Sequence, residues 1–254
     1  MVNNATVSKL RELKLSAMAN EFLLQEGNAS IFAMSFDERF GMLVDSEYNA
    51  RENSRLTRLI RNAGYPNSGA CLEDVEYHPD RRLNKDLITR LGICNYIPDR
   101  HNVIIQGATG SGKTYLACAL GIAANRRFYS VKYVRLPDLL GELGIARVEN
   151  NFAKTINSYQ KYKLLILDEW LLYPLNDVEA RDLLELAERR YRKFSTIFCS
   201  QFSTEGWHEK IGNALLADAV CDRIVHDAHT ITILGDKSMR ERKGLSAPDS
   251  TMTQ

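Results

Sequence analysis

The chain has no apolar run approaching the roughly 20 residues that a membrane-spanning helix requires. Its first residues lack the apolar core of a signal peptide. A membrane partner is therefore not expected, and the expected location is the cytoplasm. Cysteine is scarce: Cys71, Cys94, Cys118, Cys199 and Cys221 are odd in number and form no C-x-x-C pair. That spacing argues against a disulfide framework and suits reduced thiols. Net charge is nearly absent as well, since 33 Lys and Arg face 32 Asp and Glu for a balance of +1. Bulk charge therefore names no partner, and any nucleic-acid surface must be a local patch. Internal repeats and low-complexity tracts are missing. What the chain does have is 44% hydrophobic residues over 254 positions. That suffices for one α/β domain and a small accessory domain.

One segment carries specific chemistry. Gly107-Ala108-Thr109-Gly110-Ser111-Gly112-Lys113-Thr114 fits G-x-x-x-x-G-K-[ST] without a mismatch. In this pattern glycines let successive backbone N–H groups converge on phosphate oxygens, and the lysine reaches the β- and γ-phosphates of a nucleoside triphosphate such as ATP. The Thr114 hydroxyl is suited to Mg²⁺. The context is the required one: an apolar strand pattern at 102–106 precedes the loop, and an Ala- and Leu-rich helix pattern follows it. The helix N-terminus adds positive potential facing the anion.

A second apolar run, Lys163 to Leu167, ends in Asp168 and Glu169. Strands buried on both faces read as such continuous runs, and ligands bind at their carboxyl ends. Asp168 is thus expected beside Mg²⁺, and Glu169 can polarise an attacking water. This pair favours hydrolysis and disfavours a small-molecule kinase. A run at 196–200 ends next to Gln201. Gln201 is either a polar contact for the γ-phosphate or the attacking water, or an ordinary strand-to-loop residue. Arg223, in an amphipathic helix pattern from Ala217, reads as an arginine finger or as a surface ion pair to Asp218 or Asp222; the residues alone favour the pair. The same holds for Arg240.

Helix patterns fill residues 1 to about 63, with a capping-box sequence at Ser35-Phe36-Asp37-Glu38. The expected division is a helical N-terminal domain over 1–66, a linker with one short helix over 67–99, an α/β domain over 100–243, and a polar, disordered tail over 244–254. Five strands are expected, at 102–106, 131–135, 163–168, 196–200 and 230–234, with helices between them and hence a parallel sheet. Two helical stretches, 137–148 and 151–162, separate the second and third. Arg51, Arg55, Arg58 and Arg61 recur at spacings of four, three and three, which puts them in about a third of a helix circumference. Such a face grips phosphates or an acidic partner, or is a solvated face with cations near a helix C-terminus. Arg51, Arg55 and Arg58 are the candidates for DNA contact. Arg81, Arg82 and Lys85 form a shorter cluster with the same ambiguity. Trp207 and His208 read as packing residues.

These blocks together resemble the AAA+ helper ATPases of bacterial insertion sequences, the IstB type, with DnaC-type helicase loaders as nearest cousins. The resemblance rests on Asn102–Gln106 leading into the phosphate loop and on Leu164–Trp170. It extends through Glu188-Arg189-Arg190-Tyr191, Cys199-Ser200-Gln201, Gly206-Trp207-His208, Leu216–His226 and Gly235–Arg240. It covers roughly residues 100–243 specifically and the helical N-terminus less so. It implies a five-stranded parallel AAA+ sheet without a full C-terminal lid. It also implies ATP hydrolysis, assembly with copies of itself on duplex DNA without sequence preference, and contact with a cognate transposase. By the same resemblance Lys113 and Thr114 carry phosphate and Mg²⁺, Asp168 the metal and Glu169 the water. Gln201 is then a sensor, Arg223 a finger reaching a neighbour's nucleotide, and Arg240 a second sensor. The extra helix before the third strand resembles an insertion that shapes spiral assemblies. Two departures stand out: Leu171 follows Trp170 where many relatives have Gly, and Lys237 stands where many have Glu or Gly.

Overall fold

The computed structural model describes residues 4–235 and 237–242. The expected tail at 244–254 lies outside them. The chain divides into two compact units, residues 1–58 and 59–254.

The first unit is helical: α1 (Asn4–Glu12), α2 (Ser16–Glu26), α3 (Ala29–Phe32) and most of α4 (Phe36–Ala63). The start of α4 is fixed by the expected capping box. Ser35 N–H donates to Glu38 Oε2 at 2.8 Å, and Glu38 N–H donates to Ser35 Oγ at 3.3 Å. Glu47 caps α2 from a distance, accepting from Ala17 N–H and Met18 N–H at 3.0 and 3.2 Å. Its carboxylate satisfies donors that a helix N-terminus leaves open.

The second unit is built on β1 (Asn102–Gly107), β2 (Val131–Arg135), β3 (Leu164–Trp170), β4 (Ser195–Ser200) and β5 (Ala228–Ile233). They form one parallel sheet in the order β2-β3-β4-β1-β5. Alternation sends Val103, Ile105, Leu164 and Ile166 to one core and Ile104, Leu165, Leu167 and Phe198 to the other. Both faces of the central strands are thus covered, which is why they read as unbroken apolar runs. The first core is closed by α5 (Lys85–Gly92) and α6 (Lys113–Arg126). The second is closed by α7 (Leu136–Val148), α8 (Phe152–Gln160), α9 (Asp177–Arg190), α10 (Trp207–Ile211) and α11 (Ala214–Val225). A short helix, α12 (Met239–Arg242), follows β5. Residues 67–99 do not run free: Ala70, Val75, Ile88, Leu91 and Tyr96 are buried in the first core.

Two backbone irregularities sit at the end of β3. The pairing with β4 shifts register between Leu167 and Trp170, and Glu169 and Leu171 adopt φ of 54° and 53°. Such bulges re-aim side chains next to functional sites. Leu171 occupies the left-handed region that glycine enters at no cost, and it is fully buried there. No helix among the described residues is long and apolar enough to cross a membrane.

Candidate functional site

The phosphate loop leaves the carboxyl end of β1 and becomes α6 at Lys113. Gly110 and Gly112 have φ of 77° and 96°, conformations that cost an L side chain roughly 1–2 kcal/mol. At Gly110 a Cβ would also lie 2.7 Å from Ser238 Cβ. The loop backbone therefore needs glycine at both positions. Lys113 is buried and donates to Gly107 O at 2.7 Å and Ala108 O at 2.8 Å. Burial pulls its pKa down, with Cys199 and Asp168 opposing.

The acids of β3 meet this loop. Thr114 Oγ1 donates to Asp168 Oδ2 at 2.7 Å, and the Tyr133 hydroxyl donates to the same oxygen at 2.7 Å. Tyr133 sits on β2, and burial followed by this bond pushes its pKa far up, so it remains a donor. Glu169, re-aimed by the bulge, accepts from Arg135 Nη2 at 2.7 Å. Gln201 Oε1 accepts from Thr109 Oγ1 at 2.9 Å, which ties the end of β4 to the loop. That end is anchored in turn, because Ser200 Oγ donates to Trp170 O at 3.2 Å and accepts from Trp207 Nε1 at 3.2 Å. Lys113, Thr114, Asp168 and Gln201 thus converge around one loop, and Glu169 is the neighbour of Asp168.

The donor set fits a triphosphate and a hard cation. Ser111 Oγ is buried with no protein partner, inside a loop of the kind whose N–H groups turn toward oxyanions, while Ser111 N–H itself donates to Ala108 O at 3.2 Å. Thr114 and Asp168 supply two adjacent oxygen ligands. Mg²⁺ is ordinarily held by one or two carboxylates together with substrate phosphates. Among the described residues no cluster of three or more His, Cys, Asp or Glu forms a metal cage. Beside the loop lies a cavity of about 450 Å³ whose walls combine Val75, Leu116 and Met239 with Asp74, Glu76 and Arg81. Its size and mixed lining, apolar with a few polar groups, suit a nucleoside.

Other expected residues lie elsewhere. Arg223 is in the last turn of α11, which leads into β5 and so reaches the amino ends of the strands. It lines a small cavity there with Arg100, Asn102 and Asp227. A strand of six residues spans about 20 Å, so the side chain does not share a cleft with Lys113 of its own subunit. Its ion pair is with Glu188, at 2.8 Å, and it also donates to Ala219 O at 2.7 Å. Asp218 and Asp222, the partners expected from sequence, pair instead with His208 and His226. Trp207 is buried as expected, whereas His208 is exposed. The Arg240 side chain lies outside the described residues. Arg51, Arg55 and Arg58 belong to α4; Arg51 bonds Glu47 at 2.8 Å and Arg55 pairs with Glu52 at 3.6 Å.

Sequence reading passed over three residues of the site: Tyr133, Arg135 and, in part, Arg81. The first two lie two positions apart on β2, hence on one side of the strand, and Arg135 is in register with Asp168. Arg81 is buried and donates to Ser111 O at 2.9 Å and to Glu76 O, bracing the loop from the 67–99 segment. Its appearance within a basic cluster was the visible signal; its burial was not.

A five-stranded parallel sheet of this order, with a phosphate loop after β1 and paired acids ending β3, defines an AAA+ nucleotide-binding protein. The comparisons make the assignment particular: the chain belongs to the IstB-like ATP binding protein family, whose pattern matches residues 8–247. An insertion sequence ATP-binding protein of Sinorhizobium fredii is 38% identical over 96% of this chain and 99% of its own length. The ATP-binding protein of insertion sequence IS1162 from Pseudomonas fluorescens is 40% identical over 79% of this chain and 87% of its own. Among solved structures, the DnaC helicase loader superposes with a TM-score of 0.53 at 21% identity, covering 65% of this chain and 96% of that one. That last likeness speaks to the fold alone.

Proposed function

We propose that this protein is an ATP-hydrolysing transposition helper that assembles with copies of itself on duplex DNA and recruits or activates a partner transposase there. The observation that carries the reading is the junction of Thr114, Asp168 and the phosphate loop, with Thr114 Oγ1 2.7 Å from Asp168 Oδ2. Lys113 exchanges its loop carbonyls for the β- and γ-phosphates. Thr114 and Asp168 hold Mg²⁺, which supplies positive charge to the phosphate oxygens when bound. Glu169 accepts the proton of the water that attacks the γ-phosphorus, and Gln201 orients that water. Arg223, remote from its own loop, serves the nucleotide of a neighbouring subunit, and Arg240 is assigned a second sensor role. Relatives encoded in insertion sequences favour transposition over helicase loading, which uses the same site.

Binding to random-sequence duplex with ATP, ADP or no nucleotide tests the proposal. Cooperative binding with ATP and Mg²⁺, weak binding with ADP and stimulation of a cognate transposase are expected. Tight binding indifferent to nucleotide overturns the assembly mechanism. Preference for single-stranded DNA and for a replicative helicase would favour the loader.

A further inference from the structure

The loops that enter β2, β3 and β4 all lie at the amino ends of adjacent parallel strands. Their residues, 126–130, 161–163 and 191–194, contain six cations, five aromatics, one serine and no carboxylate. All six cations are exposed: Arg126 and Arg127 before β2, Lys161 and Lys163 before β3, Arg192 and Lys193 before β4. In a chain with a net charge of +1, this is a pronounced local excess. We infer that this end of the sheet is a duplex DNA phosphate surface, one to which neither the sequence reading nor the family assignment points.

Helix termini account for part of the charge. α6, α8 and α9 all end here, and cations are favoured at helix C-termini. One cation per terminus satisfies that preference, and each loop carries two. The surface is also organised. Lys163 Nζ lies 5.0 Å from the Phe194 ring centroid, and the Arg192 guanidinium 5.1 Å from that of Tyr191. Adjacent loops are tied by Lys163 N–H to Ser130 Oγ at 3.2 Å and Ser195 N–H to Lys163 O at 3.3 Å. Phe194 and Tyr191 thus lie beside the charged ends of Lys163 and Arg192, which limits the side-chain freedom lost on binding. Among the described residues only two long ion pairs draw on the six, Arg126 to Glu73 and Arg192 to Asp227, both 3.9 Å. Among the described residues Lys161, Lys163 and Lys193 have no carboxylate within 4 Å. Arg51 and Arg55 of α4, by contrast, already meet Glu47 and Glu52.

Position supports the same assignment. Arg223 and Arg100 lie toward β1 and β5, the side that the proposed trans role of Arg223 commits to a neighbouring subunit, and Arg192 borders that side, lining the same cavity. The cations before β2 and β3, with Lys193, are left for a second polyanion. Outer strands of a three-strand set are about 10 Å apart, so the row can meet a few consecutive phosphates of one duplex and repeat at each added subunit.

This inference rests on the assembly reading above, and one experiment separates their failures. The Lys161→Gln, Lys163→Gln, Lys193→Gln triple variant is compared with the full-length wild-type protein on random duplex, with ATP and Mg²⁺, from 50 to 200 mM salt. The expected result is a salt slope smaller by about 2 to 3 and an affinity at least tenfold weaker at 100 mM, with DNA-free ATPase within twofold of wild type. Lys→Arg at the three positions should restore the slope. If the triple variant fails to fold, Lys163→Gln alone should lower the slope by about 1. An unchanged slope in variants that still assemble on DNA overturns the inference and leaves the assembly reading intact. Failure of the wild-type protein to bind duplex with ATP overturns both.

Discussion

At the residue scale the proposed roles separate holding a nucleotide from turning it over. Lys113→Ala removes the cation that the loop presents to the β- and γ-phosphates. Hydrogen bonds to charged groups contribute about 1.5–3 kcal/mol each, so ATP affinity should fall by roughly a hundredfold in an equilibrium titration. Glu169→Gln removes only the proton acceptor; ATP binding should persist while single-turnover hydrolysis drops by about 10²–10⁴. Equal losses of affinity in both variants would contradict the division. Arg135 modulates the same carboxylate, since it holds Glu169 at 2.7 Å. An ion pair of this exposure contributes at most about 1 kcal/mol. Arg135→Ala should therefore raise DNA-free turnover by no more than about fivefold, with ATP affinity unchanged. A loss of turnover would instead make Arg135 a positioning residue for Glu169. The loop and the two acids were legible in the sequence because each is a contiguous pattern. Tyr133 and Arg135 were not, because they reach Asp168 and Glu169 through strand register, which no local spacing reports.

At the element scale the end of β3 combines a bulge with two left-handed residues, Glu169 and Leu171. Leu171 is the departure noted against relatives with Gly, and two effects oppose each other there. Left-handed backbone costs a non-glycine residue roughly 1–2 kcal/mol. Removing a fully buried leucine side chain costs about 3–5 kcal/mol. Leu171 is fully buried, so packing wins, and Leu171→Gly should destabilise the protein by about 1–4 kcal/mol in urea unfolding. A stabilised variant would mean that the side chain adds little to the core. Strand existence was legible because burial on both faces leaves unbroken apolar runs. Where strand boundaries moved, they moved by one or two residues: β3 extends to Trp170 rather than 168, and β5 starts at Ala228 rather than 230. The segment 67–99 read as linker because its turns and prolines break any period. Its apolar residues nevertheless fill the first core one at a time, a placement that tertiary packing alone specifies.

At the scale of the whole molecule, the nucleotide cleft and Arg223 lie at opposite ends of one sheet. A lone subunit with Arg223 tied to Glu188 at 2.8 Å does not bring this arginine to its own nucleotide. Hydrolysis should therefore depend on protein concentration more steeply than ATP binding does. Arg223→Ala should leave ATP affinity of the dilute protein nearly unchanged and lower turnover under assembling conditions by about 10³-fold or more. Glu169→Gln should be inactive for the complementary reason, because it lacks the proposed proton acceptor in its own cleft. When the two are mixed, some interfaces pair the intact Glu169 of an Arg223→Ala subunit with the intact Arg223 of a Glu169→Gln subunit. In a random one-to-one assembly about a quarter of interfaces have that pairing, so ATPase activity should recover to a comparable fraction of wild type, far above either variant alone. If the mixture co-assembles and no activity returns, Arg223 does not act across the interface. The Glu188 pair would then be a structural contact within the subunit and the neighbour's contribution would have to come from another residue.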